Sequence, residues 1–355
     1  MLAYFILLAL VIFVLNFSKN FIVYRPNIKI LFLAGVILVI FAAIRSGDVG
    51  TDGNNYIGMF NRSRYIQESI FDRITNIEIG YLLIEQLALL ISYEYWSLFF
   101  VISLISVLLS LFVIYRLSSN ISLSVFIYIT LGTYLFFFNG ARQAIAASVF
   151  GLAIYYLLEK HKIKYFVVVL TGILFHKTIL FMIPIYFVLK LNFSYRNLFL
   201  FSGISFLSFT FISRFLSLLD ASAEARYLEY IDRGASGGYL LAIYFISISF
   251  LLIYFRTKIV TARMFEYNIY LNMCILYAII YLVVVTTSSD VNFLRMSLYL
   301  SLGHILIWPI VFQCVPIFRL RFVRLCFYII HLIFYALYIN QMSNLNPYLL
   351  NNSIF

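Results

Sequence analysis

Arg142 stands in Asn139-Gly-Ala-Arg142-Gln143, between two apolar runs that are each long enough to lie in a bilayer. A guanidinium at membrane depth costs roughly 2.5 to 3.5 kcal/mol, so it must meet water, a carboxylate or an anionic ligand. If this segment opens a helix, unpaired backbone N–H groups and the positive dipole end add to the charge and make an anion site. The competing reading is an ion pair with Asp48, Asp52 or Glu78. Ala144, Ala147, Ser148 and Gly151 follow, small enough to let a neighbouring helix come close.

Three further groups could work beside it. His176 precedes Lys177-Thr178, and a neutral imidazole facing a polar chamber suits a general base, whereas an isolated histidine in an apolar run is otherwise a packing residue. Arg45-Ser-Gly-Asp48-Val-Gly-Thr-Asp52-Gly-Asn-Asn-Tyr56 is rich in turn-forming glycines, which would fold both aspartates and Arg45 over a cavity mouth or simply build a turn. It has the oxygens of a calcium loop but no bidentate glutamate at the proper offset. The stretch 220–238, carrying Arg226 and Tyr227 and ending in Gly234-Ala-Ser-Gly237-Gly238, reads as a lid, and Arg295 with Tyr299 one helical turn on reads as a phosphate-and-sugar contact pair.

Composition fixes what must position these groups. Hydrophobic residues make up 64% of the 355 and charged residues 11%, with a mean hydropathy of +1.01, which a water-soluble domain could not carry on its surface. The runs lack β-barrel alternation, so the expected class is all-α, a polytopic membrane protein forming a single transmembrane domain over 1–355 with about 12 membrane segments. The first, 1–17, has no basic leader or small-residue cleavage pattern and is expected to be retained. The others fall near 28–44, 95–115, 122–138, 144–158, 165–175, 178–189, 198–219, 239–255, 267–286, 296–311 and 325–340. Cys274, Cys314 and Cys326 all lie in apolar runs and suggest neither a disulfide nor a zinc framework.

Charge sets the orientation. With an external N-terminus, every lysine but Lys177 falls in an internal connection, as the positive-inside rule requires. The region 45–94 is then an outer loop whose Tyr81–Ile91 stretch, carrying Glu85, forms an interfacial or re-entrant helix. Residues 165–189 have lysines on both flanks, which predicts a re-entrant hairpin of two half-helices, each rising roughly 16 Å, with His176 at the tip. A single straight span is the alternative. The outer side receives all acids except Glu159 and Glu266 and cations that, apart from Lys177, are arginines: Arg45, Arg62, Arg64, Arg73, Arg142, Arg214, Arg226, Arg233 and Arg295. Arginine presents a planar fork that matches phosphate oxygens in pairs, although ordinary ion pairing accounts for Arg62, Arg64 and Arg73 equally well. His304 and His331 are expected to be packing residues.

Arg45, Gly50-Thr51-Asp52 and Tyr56, then Glu78-Ile-Gly-Tyr81, Arg142-Gln143-Ala-Ile-Ala146, and Phe175-His176-Lys177-Thr178 with Pro184 following, come in an order that resembles the EpsG-type branch of the Wzy oligosaccharide-repeat polymerases. The resemblance covers most of residues 40–300. It implies a GT-C-like polymerase/ligase architecture in the bacterial inner membrane, with a site facing the periplasm that joins glycans carried on undecaprenyl pyrophosphate. In that frame Arg142, Arg295, Arg45 and Arg226 would hold the pyrophosphate, and fixed cations can stabilise such a leaving group without metal or cofactor. His176 would be the base, with Asp52 or Asp48 as second choice, and Tyr56, Gln143, Tyr227 and Tyr299 would contact sugar. Inversion at the anomeric carbon and a chain-length regulator as partner, beside the membrane lipids, are further implications; nucleic acid is not expected. An O-antigen ligase would need a larger outer loop, a lipid-linked oligosaccharide flippase would show two similar halves, and an acyltransferase would draw its donor from the cytoplasm.

Overall fold

The computed structural model describes residues 1–17, 27–66, 73, 77–194, 196–197, 199, 203, 238–286 and 291–351. Among them the secondary structure is helical, apart from an antiparallel bridge between Arg45 and Leu350. The expected span 198–219 and lid 220–238, with Arg226 and Tyr227, lie outside the described residues except for positions 199, 203 and 238.

Among the described residues, seven helical segments are long and apolar enough to cross a membrane, namely Trp96–Leu117, Ile121–Phe138, Ala141–Leu158, Tyr239–Lys258, Thr261–Thr286, Leu294–Cys314 and Arg321–Met342, with shorter apolar helices at Leu2–Phe17, Ile28–Ala43, Ile79–Ile91 and Lys177–Leu189. The protein is thus a helical membrane protein. Two compact units make it up: Met1–Ile183 with Arg319–Phe355, and Pro184–Phe318.

The first unit contains α1 (Leu2–Phe17), α2 (Ile28–Ala43), α3 (Gly53–Asn61), α4 (Ile79–Ile91), α5 (Trp96–Leu117), α6 (Ile121–Thr130), α7 (Ala141–Leu158), α8 (Lys162–Gly172) and α13 (Arg321–Leu337). Side-chain caps start two of them, Asn27 accepting from the Lys29 N–H and Asn120 from that of Leu123. Helix α5 is the central post, packed by α2, α4 and α7. Close approach there uses small residues, as where Ser110 of α5 and Ser148 of α7 lie 3.3 Å apart. Their C-terminal ends also meet, Arg116 donating to Tyr155 Oη at 2.8 Å.

One expected span is interrupted and one expected turn is partly helical. The 122–138 stretch breaks after α6 at Gly132, whose φ of +80° and whose position against the Tyr338 ring both exclude a side chain, and resumes as a short 3-10 turn, Leu135–Phe138. The 45–56 stretch is not all turn, since α3 begins at Gly53.

At His176 the backbone reverses. Tyr165 Oη donates to the Met182 carbonyl, 17 residues on, at 2.7 Å, whereas an unbroken helix would part them by roughly 25 Å. A 3-10 turn, Lys177–Phe181, leads from the tip into α9 (Met182–Leu189). Gly172 makes the reversal tight, because a Cβ there would fall 2.2 Å from Ile179 Cδ1.

The second unit holds α10 (Tyr239–Phe255), α11 (Met264–Thr286) and α12 (Ser301–Cys314). Gly303 lets α12 lie on α11, its Cβ position being 2.6 Å from Met273 Cβ. Asn272 Nδ2 donates to the carbonyls of Leu189 and Leu191 at 3.1 and 2.8 Å, capping the end of α9 from inside the core. His304 is buried against Tyr277 and Phe245, and in the first unit His331 is buried with Thr130, Phe126 and Phe327. Both are buried among aromatic rings.

Candidate functional site: a carboxylate shared by Arg142 and His176

Glu78 brings the two strongest sequence candidates together. Its Oε2 accepts from Arg142 Nη1 at 2.5 Å and its Oε1 lies 3.1 Å from His176 Nδ1. The three side chains come from different parts of the chain: the residue before α4, the first turn of α7, and the tip of the reversal between α8 and α9.

Local backbone rules place each one. Gly80 donates its N–H to the Leu174 carbonyl at 2.7 Å, and a Cβ at Gly80 would sit 2.6 Å from that oxygen, so only glycine lets the start of α4 dock on the α8 turn. That docking sets Glu78 beside His176. Arg142 is fixed by the start of α7, where Gly140 provides no capping side chain and Tyr56 Oη accepts the Ala141 N–H at 2.9 Å. The Tyr56 and Tyr81 rings lie 5.6 Å apart, and the Arg142 guanidinium stands 6.0 Å from the Tyr81 centroid.

Glu78 is largely enclosed, with 9% of its side chain exposed, while Arg142 and His176 keep 27% and 25%. Burial pushes the Glu78 carboxyl up, but the His176 hydrogen bond and the Arg142 charge outweigh it and bring it down to about 2. Glu78 is therefore an ionised carboxylate at neutral pH. By holding Nδ1 it directs the other ring nitrogen of His176 away from itself. The Glu78 bond occupies one of the five N–H donors of Arg142.

Of the three carboxylates weighed for Arg142, the partner is Glu78. Glu78 was not itself expected as a site residue, and its signal was the glycine two positions on, which demands a close backbone approach. Asp48 is exposed and bonded to Ser46 and Asn54, and Asp52 accepts from the Thr51 hydroxyl at 3.1 Å just before α3.

Several expectations need correction. Arg45 does not hang over an open mouth: it is 1% exposed, its guanidinium lies between the rings of Phe99 and Phe138 at 3.8 and 4.0 Å, and Nη1 donates to the Ala42 carbonyl. Burial pushes Arg45 down to about 10, so it stays charged, and cation–π contact compensates for lost water. Tyr56 and Tyr299 are 5% and 1% exposed and offer no open ring face to a sugar. Gln143 is buried, while Arg295 is half-buried in the second unit. Arg295 and Tyr299 lie in a 3-10 stretch, Val291–Leu300, where three residues per turn place positions four apart roughly 120° around the axis and not on one face.

Arg73 is buried with Glu85, Nη1 to Oε2 at 2.6 Å and Nη2 to Oε1 at 3.3 Å, and Ser63 Oγ donates to the same carboxylate at 2.7 Å. This pair ties α4 to the segment after α3, the structural role that ion pairing assigned to Arg73.

No curated protein and no solved structure matches this chain. The model of the EpsG family matches residues 28–354. That stretch takes in Glu78, Arg142 and His176, and the chain belongs to the EpsG family.

Proposed function

We propose that this protein is a glycosyltransferase that joins oligosaccharide repeat units carried on undecaprenyl pyrophosphate, at the periplasmic face of the bacterial inner membrane. The observation that carries the reading is Glu78 held between a guanidinium and an imidazole. Family membership supports a polysaccharide polymerase, and the trio has the parts such a transfer needs.

In this mechanism His176 Nε2 takes the proton of the acceptor sugar hydroxyl, with Glu78 fixing the ring through Nδ1 and stabilising the imidazolium that forms. The acceptor oxygen bonds to the donor's anomeric carbon, inverting it, as the bond to the phosphate oxygen breaks. The electron pair leaves on the lipid pyrophosphate, whose charge Arg142 stabilises. Pyrophosphate is a weak base and needs no acid. Asp52 and Asp48 are the alternative bases.

The orientation rests on helix α7. Arg142 lies at its start, and Lys160, Lys162 and Lys164 follow its end, so 18 residues, roughly 27 Å, separate the arginine from the basic run. Lysines in the cytoplasm put Arg142 in the outer half of the membrane. The α8–α9 reversal is then re-entrant, with His176 at its inner tip.

The test is a repeat-polymer gel from deletion cells complemented with Arg142→Ala, His176→Ala or Glu78→Gln. Accumulation of a single-repeat band supports a polymerase. Complete loss of attached glycan points instead to a ligase, and lipid-linked units trapped inside to a flippase. Normal ladders from all three would overturn the mechanism.

A further inference from the structure

Asn139 is buried, 7% exposed, three residues before Arg142. Both ends of its amide are used. Oδ1 accepts the Thr51 N–H at 2.8 Å and Nδ2 donates to the Ser343 carbonyl at 2.9 Å, across 88 and 204 positions of sequence. The two segments it joins are also bonded to each other, Gly50 N–H to the Asn344 carbonyl at 3.0 Å. Gly50 has a φ of +98°, and a Cβ there would lie 2.5 Å from Asn139 Oδ1 and 2.7 Å from the Phe138 carbonyl oxygen.

Past Ser343 the chain runs alongside the same loop. Ser46 N–H donates to the Leu349 carbonyl and Asn351 N–H to that of Ile44, both at 2.8 Å. Tyr348 Oη donates to the Phe41 carbonyl at 2.5 Å and Tyr4 Oη to that of Leu345 at 2.6 Å. The segment 343–351 is therefore tied to the loop at 44–51 by hydrogen bonds, with Ser343, Leu345 and Asn351 buried and Leu349 and Leu350 exposed, and side-chain and backbone bonds connect it to the start of α7.

We propose that Asn139 is a positioning residue for Arg142, and that the segment 343–351 is a built-in part of the site because Asn139 is held against it. The inference rests on the reading of Arg142 given above. A side chain that fixes α7 one turn before the arginine sets where the guanidinium emerges, and reactions of this kind are sensitive to displacements of about 1 Å. Asn139 touches no reacting group. Its loss acts through Arg142.

Two measurements on full-length protein test this. In the first, polymerisation is followed for Arg142→Ala, Asn139→Ala, Asn139→Asp and Gly50→Ala, with the melting temperature in detergent recorded for each. Asn139→Ala and Gly50→Ala are expected to lose about ten-fold or more in kcat with little change in KM and a retained cooperative melt. Asn139→Asp keeps the acceptor for Thr51 but sets a carboxylate against the Ser343 carbonyl, and should fall with them; a wild-type rate for it would overturn the part assigned to the C-terminal segment. Wild-type rates for both Asn139→Ala and Gly50→Ala beside an inactive Arg142→Ala would overturn the whole. In the second, the rate at which an impermeant methanethiosulfonate modifies Arg142→Cys protein, with the native cysteines replaced by serine, is compared with and without Asn139→Ala. A several-fold change is expected, and an unchanged rate counts against positioning whether or not Arg142 proves to bind the donor. An active Arg142→Ala would sink the mechanism, while the thiol rate would still judge Asn139.

Discussion

Glu78 Oε1 lies 3.1 Å from His176 Nδ1 although 98 positions separate them in the chain. The contact exists because Gly80 lets α4 abut the turn after α8. It gives an imidazole a fixed orientation and a fixed negative neighbour, the pairing that a Ser-His-Asp triad uses when its histidine takes a proton from a hydroxyl.

Glu78→Gln should therefore reduce polymer formation by about 100-fold or more, because the amide cannot stabilise the imidazolium. Glu78→Asp should retain part of the rate. Quantified ladders from variants expressed at equal level check this, and a Gln variant as active as wild type would remove Glu78 from the mechanism.

Acid should dissolve this arrangement late. The Glu78 carboxyl is held at about 2, below its ordinary 4.5. A depressed carboxyl contributes stability that is fully present above the unfolded value and lost as pH falls through the folded one. The melting temperature of wild type minus that of Glu78→Gln should shrink as pH falls from about 4.5 toward 2. A difference that is flat across the whole range would contradict it.

The buried Arg73–Glu85 pair should behave as structure alone. Removing one partner strands a charge and costs about 3 to 5 kcal/mol, so Glu85→Ala and Arg73→Ala should each melt well below wild type. Replacing both with Leu and Met should restore much of the loss. A double variant no better than the singles would show that the charges are needed.

Arg45→Lys separates packing from phosphate binding. A lysine keeps the charge but cannot lie flat between Phe99 and Phe138, so the variant should lose stability while donor affinity, once folded, stays near wild type. Donor KM rising with an unchanged melt would place Arg45 in the binding site.

The membrane course of the α8–α9 reversal can be read with Lys160→Cys and Asn192→Cys in protein lacking native cysteines. Both should react from the cytoplasm. Labelling from opposite sides would establish a straight crossing.

Hydropathy sufficed for the helical membrane class, because lipid demands long apolar runs. Lysines on both flanks of 165–189 are what point to a hairpin there, and the Tyr165–Met182 bond brings its two arms together. What local sequence could not show was partnership. A cation in a glycine-rich stretch reads as exposed, and nothing near Arg45 reveals that rings from positions 99 and 138 enclose it. Glu78 looked like one carboxylate among several until the Gly80 contact selected it. The segment 343–351, with little periodicity of its own, gave no sign that it would be bonded beneath the loop at 44–50.

The bond between Asn139 and the Ser343 carbonyl spans 204 positions. Helix α7 is synthesised well before the segment 343–351. On the positioning role proposed for Asn139, Arg142 is therefore set only after that segment has been made, and completion of the site is a late event.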